Sequence, residues 1–176
     1  IARTELEQRR ARRADVIACA RYEMTTLYQQ LADTETAVVL TDTDGKPFNF
    51  RKETEGKVAL LFFGYTHCPD ICPVHLANIA AVLKKLSPEV NNAVRMVFVT
   101  TDPRRDTPEV IRAYLDKFDA RFIGLWGDSL ALRGAMRQLP VGTPIFEPGA
   151  NDSTYTIGHS AMVLAFTRDN LAHVVY

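Results

Sequence analysis

The chain has 176 residues, 47% of them hydrophobic and 24% charged, enough apolar surface for one buried core and, by default, one domain. Its 21 basic residues balance 21 acidic ones, so the basic excess that nucleic acid or an anionic membrane surface selects is absent. No apolar run approaches the roughly 18–20 residues that span a bilayer, and three cysteines are too few for a disulfide scaffold.

Residues 1–32 read as a helical extension set apart from the domain at 33–176. Arg3, Arg9, Arg10, Arg12 and Arg13 lie among Glu5, Glu7 and Asp15, and apolar residues then recur with helical spacing at Ile17, Ala20, Met24, Leu27, Tyr28 and Leu31. The sequence opens on Ile1 rather than Met, which fits removal of something upstream. Val16-Ile17-Ala18-Cys19 resembles a bacterial lipoprotein cleavage box. However, Arg12, Arg13 and Asp15 occupy the place where a signal peptide needs about 7–15 apolar residues. Cys19 therefore reads as a buried or half-buried helix cysteine.

Val38 to Thr41 and Pro47 to Phe50 flank Asp42-Thr43-Asp44-Gly45-Lys46, a hairpin signal because glycine takes the positive φ of the turn. Val58 to Phe63 is apolar without alternation, as in a strand covered on both faces. After the next turn, Leu76, Ile79, Ala80, Leu83 and Leu86 form one stripe of a helix ended by Ser87-Pro88. Val94 to Val99 is a second apolar strand. Thr107, Pro108 and Glu109 then supply an N-cap, a first-turn proline and a first-turn acid for a helix carrying Val110, Tyr114, Leu115 and Phe118. Phe122 to Trp126 is short and apolar, and Asp128 or Ser129 caps a helix running to about Gln138. Pro140 to Asp152 reads as an exposed loop. Thr154 to Phe166, a turn at Thr167–Asn170, and Leu171 to Tyr176 close the chain as a hairpin. The expected fold is α/β: a mixed central β-sheet flanked by helices, with an N-terminal β-hairpin and a thioredoxin-like centre.

The chemistry gathers in Gly64-Tyr65-Thr66-His67-Cys68-Pro69-Asp70-Ile71-Cys72-Pro73, between the apolar strand and the helix. A cysteine at a helix N-terminus feels unpaired amides that favour its thiolate. Residues four apart share a helix face, so Cys68 and Cys72 can point the same way. Thioredoxin-like oxidoreductases place two residues between their cysteines; here there are three. The pair is thus a redox couple, a claw for a soft metal such as Cu(I) with Zn(II) competing, or both. Copper(II) calls for an added nitrogen. His67 adjoins Cys68 and is expected in support rather than as a ligand, His75 reads as a solvated helix residue, and His173 as structural or exposed. His159, just before the apolar strand Ala161 to Phe166, is the candidate ligand, because in thioredoxin-like folds that position faces the cysteine turn.

Three stretches together, Phe63 to Pro73, Thr101-Asp102-Pro103-Arg104-Arg105-Asp106-Thr107-Pro108, and His159-Ser160, strongly resemble the Sco family of copper chaperones from about Val38 to Tyr176. Val99 to Pro103 and Asn170 to Tyr176 resemble its actinobacterial branch. The resemblance implies one copper per chain, held by Cys68, Cys72 and His159. It also implies a membrane anchor upstream of this chain and a place on the extracytoplasmic face of the bacterial cell membrane. Three departures stand out. The family commonly has Asp where this chain has Gly158, so an acidic partner for the imidazole is missing. The family continues into a C-terminal helix, whereas this chain stops at Tyr176. Residues 1–32 have no counterpart.

The leading expectation is a copper metallochaperone serving the binuclear copper site of cytochrome c oxidase subunit II, with another copper chaperone as donor. The alternative, which can coexist, is a thiol–disulfide oxidoreductase that reduces the cysteines of that site through the Cys68–Cys72 pair. A thiol peroxidase would need one low-pKa cysteine able to pass through a sulfenic acid. The Asp102–Pro108 motif is explained by its helix cap, with partner docking by Asp102 or Arg105 as the other reading.

Overall fold

The structure, a computed structural model, describes residues 39–149 and 154–175. The expected helical extension at 1–32 and Cys19 lie outside the described residues.

Strands β1 (Val39–Asp42) and β2 (Pro47–Asn49) form the expected hairpin. Asp42 Oδ1 accepts from the amides of Asp44 and Lys46 at 2.9 and 2.8 Å, and Gly45 has φ +80°. A one-turn helix α1 (Phe50–Glu53) leads to β3 (Val58–Gly64), and α2 (Ile71–Leu83) follows the cysteine turn. Then come α3 (Pro88–Asn92), β4 (Val94–Thr100), α4 (Pro108–Leu115), β5 (Ile123–Trp126) and α5 (Ser129–Arg137). A ribbon of β6 (Ile145–Glu147) and β7 (Thr156–Gly158) precedes the hairpin of β8 (Val163–Phe166) and β9 (Ala172–Val175).

The main sheet runs β2-β1-β5-β4-β3-β8-β9. Strands β3, β4 and β5 are parallel, while β1 and β8 flank them antiparallel, so the expected mixed sheet is present. β3 lies centrally, and Ala59, Leu61, Phe62 and Phe63 are all buried, as a run without alternation requires. One core cluster joins Phe62, Met96 and Phe98 of the sheet to Cys72, Leu76, Ala80 and Leu83 of α2 and to Ile111 and Leu115 of α4. Each large side chain so buried contributes about 1.5–3 kcal/mol.

Four expectations need correction. Leu86 is 36% exposed because α2 ends at Leu83. Ser87-Pro88-Glu89 opens α3, with Ser87 Oγ accepting from the Val90 amide, rather than simply ending the helix before it. In α4 the buried stripe uses Ile111 in place of Val110, which is 37% exposed. Finally, the stretch expected as loop contains β6, and Thr154 to Phe166 is not one strand. It breaks between β7 and β8, because β7 pairs with β6 and leaves the main sheet.

Candidate metal centre

The sheet register brings the site together. Gly64 at the end of β3 pairs with Thr100 at the end of β4. β8 runs the other way, with Val163 opposite Phe62, so the segment leading into it reaches the same edge. The carboxyl ends of parallel strands are the usual place for a site in an open α/β sheet. Here that edge carries the cysteine turn, the Thr100–Asp106 loop and His159.

Cys72 is the second residue of α2, fully buried, and belongs to the core stripe with Leu76 and Ala80. Cys68 is half-buried, two residues before the N-cap Asp70, and its amide donates to the Tyr65 carbonyl at 3.2 Å. Gly64 is required here by space: a Cβ at this position would lie 2.7 Å from Cys72 Sγ. His159 Nε2 is 3.4 Å from Cys72 Sγ. Its Nδ1 donates to the Ser160 carbonyl at 2.9 Å, which puts the ring proton there and turns the bare Nε2 toward the sulfur. The Tyr65 ring meets the imidazole edge-on, with centroids 5.5 Å apart.

Among the described residues, Cys68, Cys72 and His159 form a group able to hold a metal ion, with their ligand atoms all within 4.8 Å of one another. Two sulfurs and one imidazole nitrogen converging from two sides fit a soft cation. His67 is exposed and turned aside, its Nδ1 3.1 Å from Thr66 Oγ1 and 3.7 Å from Asp106 Oδ1. His75 is half-buried and packs edge-on against Phe62 rather than lying in solvent. The side chain of His173 lies outside the described residues.

At Cys72 the electrostatics run against the helix-terminus expectation. Burial pushes the Cys72 thiol far up, with the Tyr65 backbone hydrogen bond opposing and the neighbouring Cys68 adding to the rise. A helix N-terminus offers about 0.3–1 kcal/mol to an anion, whereas full desolvation moves a group by up to 3–5 pKa units at about 1.4 kcal/mol each. Desolvation wins, so Cys72 rests as the neutral thiol until something cationic arrives. Burial also lowers the pKa of His159, against the carbonyls of Ser160 and Phe63, and keeps the imidazole neutral and ligand-competent.

Sequence reasoning missed the polar frame around these residues. Asp102 and Asp106 are 2% and 0% exposed, which leaves Asp102 no surface for docking a partner. Asp106 accepts from Thr66 and Thr100, and Asp102 from Tyr155. The density of Thr and Asp in Thr100 to Thr107 was the available signal, but it reads equally well as an exposed cap.

The fold and site define a thioredoxin-like domain with a Cys-Cys-His centre. The SCO1/SenC family model matches residues 27–175, and the chain belongs to that family. A SCO2-like protein of Rickettsia felis is 35% identical over 122 residues, 69% of this chain and 58% of that one, so the chain spans little more than half of that relative. Among solved structures, Bradyrhizobium japonicum ScoI with copper bound is 36% identical with a TM-score of 0.72, over 78% of this chain and 85% of that one. Arabidopsis thaliana ScoI with copper bound is 32% identical with a TM-score of 0.71, over 78% and 84%.

Proposed function

We propose that this chain is a copper metallochaperone that binds one copper per chain and delivers it to the binuclear copper site of cytochrome c oxidase subunit II. The observation that carries the copper reading is the convergence of Cys68 Sγ, Cys72 Sγ and His159 Nε2 within 4.8 Å. Thiolates favour Cu(I), and the imidazole extends the site to Cu(II). Relatives of about one-third identity solved with copper bound support the choice of metal. The family resemblance supports the target, a donor chaperone, and a place on the extracytoplasmic face of the membrane with an anchor upstream.

In this reading copper is cargo. Cys68, the half-buried sulfur, is the ligand that a partner's thiolate can displace first. Cys72 and His159 hold the metal until a second partner ligand arrives. The test is to mix reduced, Cu(I)-loaded chain with the metal-free soluble domain of subunit II and follow copper by size separation. Transfer from wild type, and none from Cys68→Ser, is expected. Copper that stays on the wild-type chain would refute delivery.

The two sulfurs are also close enough to cycle as a disulfide, which favours the oxidoreductase as a coexisting role. Cys68 thiolate attacks a target disulfide and Cys72 resolves the mixed disulfide. Two thiols here become one disulfide, and the target gains two electrons and two protons. A Cys68–Cys72 reduction potential well above that of the target pair would rule this out.

A further inference from the structure

Two carboxylates four residues apart, Asp102 and Asp106, are buried on one short loop, a costly arrangement unless every oxygen is hydrogen-bonded. Besides Thr100 and Arg105 of the loop itself, their partners Thr66 and Tyr155 come from the two segments that carry the candidate ligands. Asp106 Oδ1 accepts from Thr66 Oγ1 at 2.6 Å, and Oδ2 accepts from the Thr66 amide at 2.9 Å and Thr100 Oγ1 at 2.7 Å. Thr66 lies two residues before Cys68. The Thr101 amide adds a bond to the Gly64 carbonyl at 2.7 Å.

On the other side, Asp102 Oδ1 accepts from Tyr155 Oη at 2.7 Å. Arg105, ion-paired to Asp102, donates from Nη1 to the Tyr155 carbonyl at 3.0 Å and stacks 3.6 Å above the Tyr155 ring centre. Tyr155 lies four residues before His159. The loop closes on itself, with the amides of Arg105 and Asp106 both donating to the Asp102 carbonyl. One side of the loop therefore grips the cysteine turn and the other grips the histidine strand.

We propose that the Thr100–Asp106 loop is a bracket that sets the span between the cysteine pair and His159, with Asp106 positioning the cysteines and Asp102 positioning the imidazole. The bracket rests on the metal-site reading above for its purpose, but its geometry is a property of the metal-free protein. Helix capping alone would need only Thr107, whose side chain accepts from the Val110 amide, and neither buried carboxylate. The two halves of the bracket act on different ligands, so they are separable. Weakening the histidine half impairs Cu(II), which needs nitrogen, more than Cu(I), which two sulfurs hold.

The test uses the full reduced chain with Tyr155→Phe and Thr66→Val, each of which removes one side-chain donor to a carboxylate. Asp102→Asn and Asp106→Asn serve as stronger versions. Leu132→Ala, in the α5 core away from the loop, is the control for lost stability. Two readouts need no metal: the imidazole 15N shifts of His159 and the alkylation rate of Cys68. Tyr155→Phe is expected to move the shifts and leave the alkylation rate, and Thr66→Val to change that rate about threefold or more and leave the shifts. Leu132→Ala should alter neither. In Cu(II) titrations Tyr155→Phe should weaken binding by about 10-fold or more, the scale of supporting-residue loss at metal sites, with Cu(I) affected less. Variants that lose melting temperature as Leu132→Ala does, with wild-type shifts and alkylation, would overturn the bracket. Wild type that takes up no copper would instead sink the chaperone reading, while the two metal-free readouts would still decide the bracket.

Discussion

Gly64→Ala is the most direct probe of how tightly the fold holds Cys72. The added Cβ would lie 2.7 Å from Cys72 Sγ, 3.0 Å from Phe98 Cε2 and 3.2 Å from Phe62 Cε1. Ordinary contact begins near 3.4 Å, so the sulfur must yield by at least 3.4 − 2.7 = 0.7 Å. The strand has little room to yield, because β3 is paired along both edges. Both flanking rings are buried and equally confined. The sulfur or the first turn of α2 moves instead, and the 3.4 Å contact with His159 Nε2 changes with it. Overpacking of this kind costs about 1–3 kcal/mol. At about 2–4 °C per kcal/mol for a domain of this size, the melting temperature should fall by about 2–12 °C. Calorimetry of the reduced, metal-free protein reads the stability, and the thiolate-to-copper absorption band of the Cu(II) form reads the site. An unchanged melting temperature together with an unchanged band would show that Cys72 is not held as described.

Other outcomes follow from the same structure. The pKa of His159 is depressed in the folded state, so the folded chain binds fewer protons than the unfolded chain below about pH 6.5. Stability contributed by the neutral imidazole is therefore present above that pH and lost on acidification. His159→Ala should flatten the acid limb of melting temperature against pH, and an unaltered limb would contradict the buried neutral ring. Gly158→Asp has room, since its Cβ would approach nothing closer than Ile145 Cβ at 3.6 Å and Glu147 Oε1 at 3.7 Å. Because the Ser160 carbonyl already holds Nδ1, Cu(II) affinity in that variant should change by less than about tenfold. A larger gain by competition titration would show that this chain lacks a needed acid. Asp128→Ala removes a cap that accepts from two amides, each at 2.8 Å. It should cost about 1 kcal/mol in denaturant unfolding without changing copper uptake; altered uptake would tie α5 to the site.

The parts of this molecule that were legible in its sequence are those whose signals are local. Val58 to Phe63 announces a doubly covered strand because no residue in it could face water, and the Cys68–Cys72 turn follows in plain view. His159 is different. It lies 87 residues beyond Cys72, and periodicity has no means of expressing the sheet register that brings it to 3.4 Å. Only the resemblance to a known family singled it out strongly. The β6–β7 ribbon was hidden because Ile145, Phe146 and Glu147 are exposed and bounded by proline and glycine, so they lack the buried face that marks a strand. Ser87 and Thr107 carry the same Ser/Thr-Pro-Glu start signal, yet at Ser87 it sits where a preceding helix must also end. The burial of Asp102 and Asp106 was illegible for a physical reason. A carboxylate in a turn is ordinarily solvated, and here the distant donors Thr66 and Tyr155 join the local Thr100 and Arg105 to make burial tolerable.

The central claim is that one copper is held by Cys68, Cys72 and His159, and X-ray absorption of the copper-loaded chain tests it most directly. The expected result is one copper per chain, with two sulfur scatterers in the Cu(I) form and an added imidazole nitrogen in the Cu(II) form. That nitrogen should disappear in His159→Ala, and one sulfur should disappear in Cys68→Ser. A nitrogen shell that survives in His159→Ala, or a wild-type site with fewer than two sulfurs, would contradict the account.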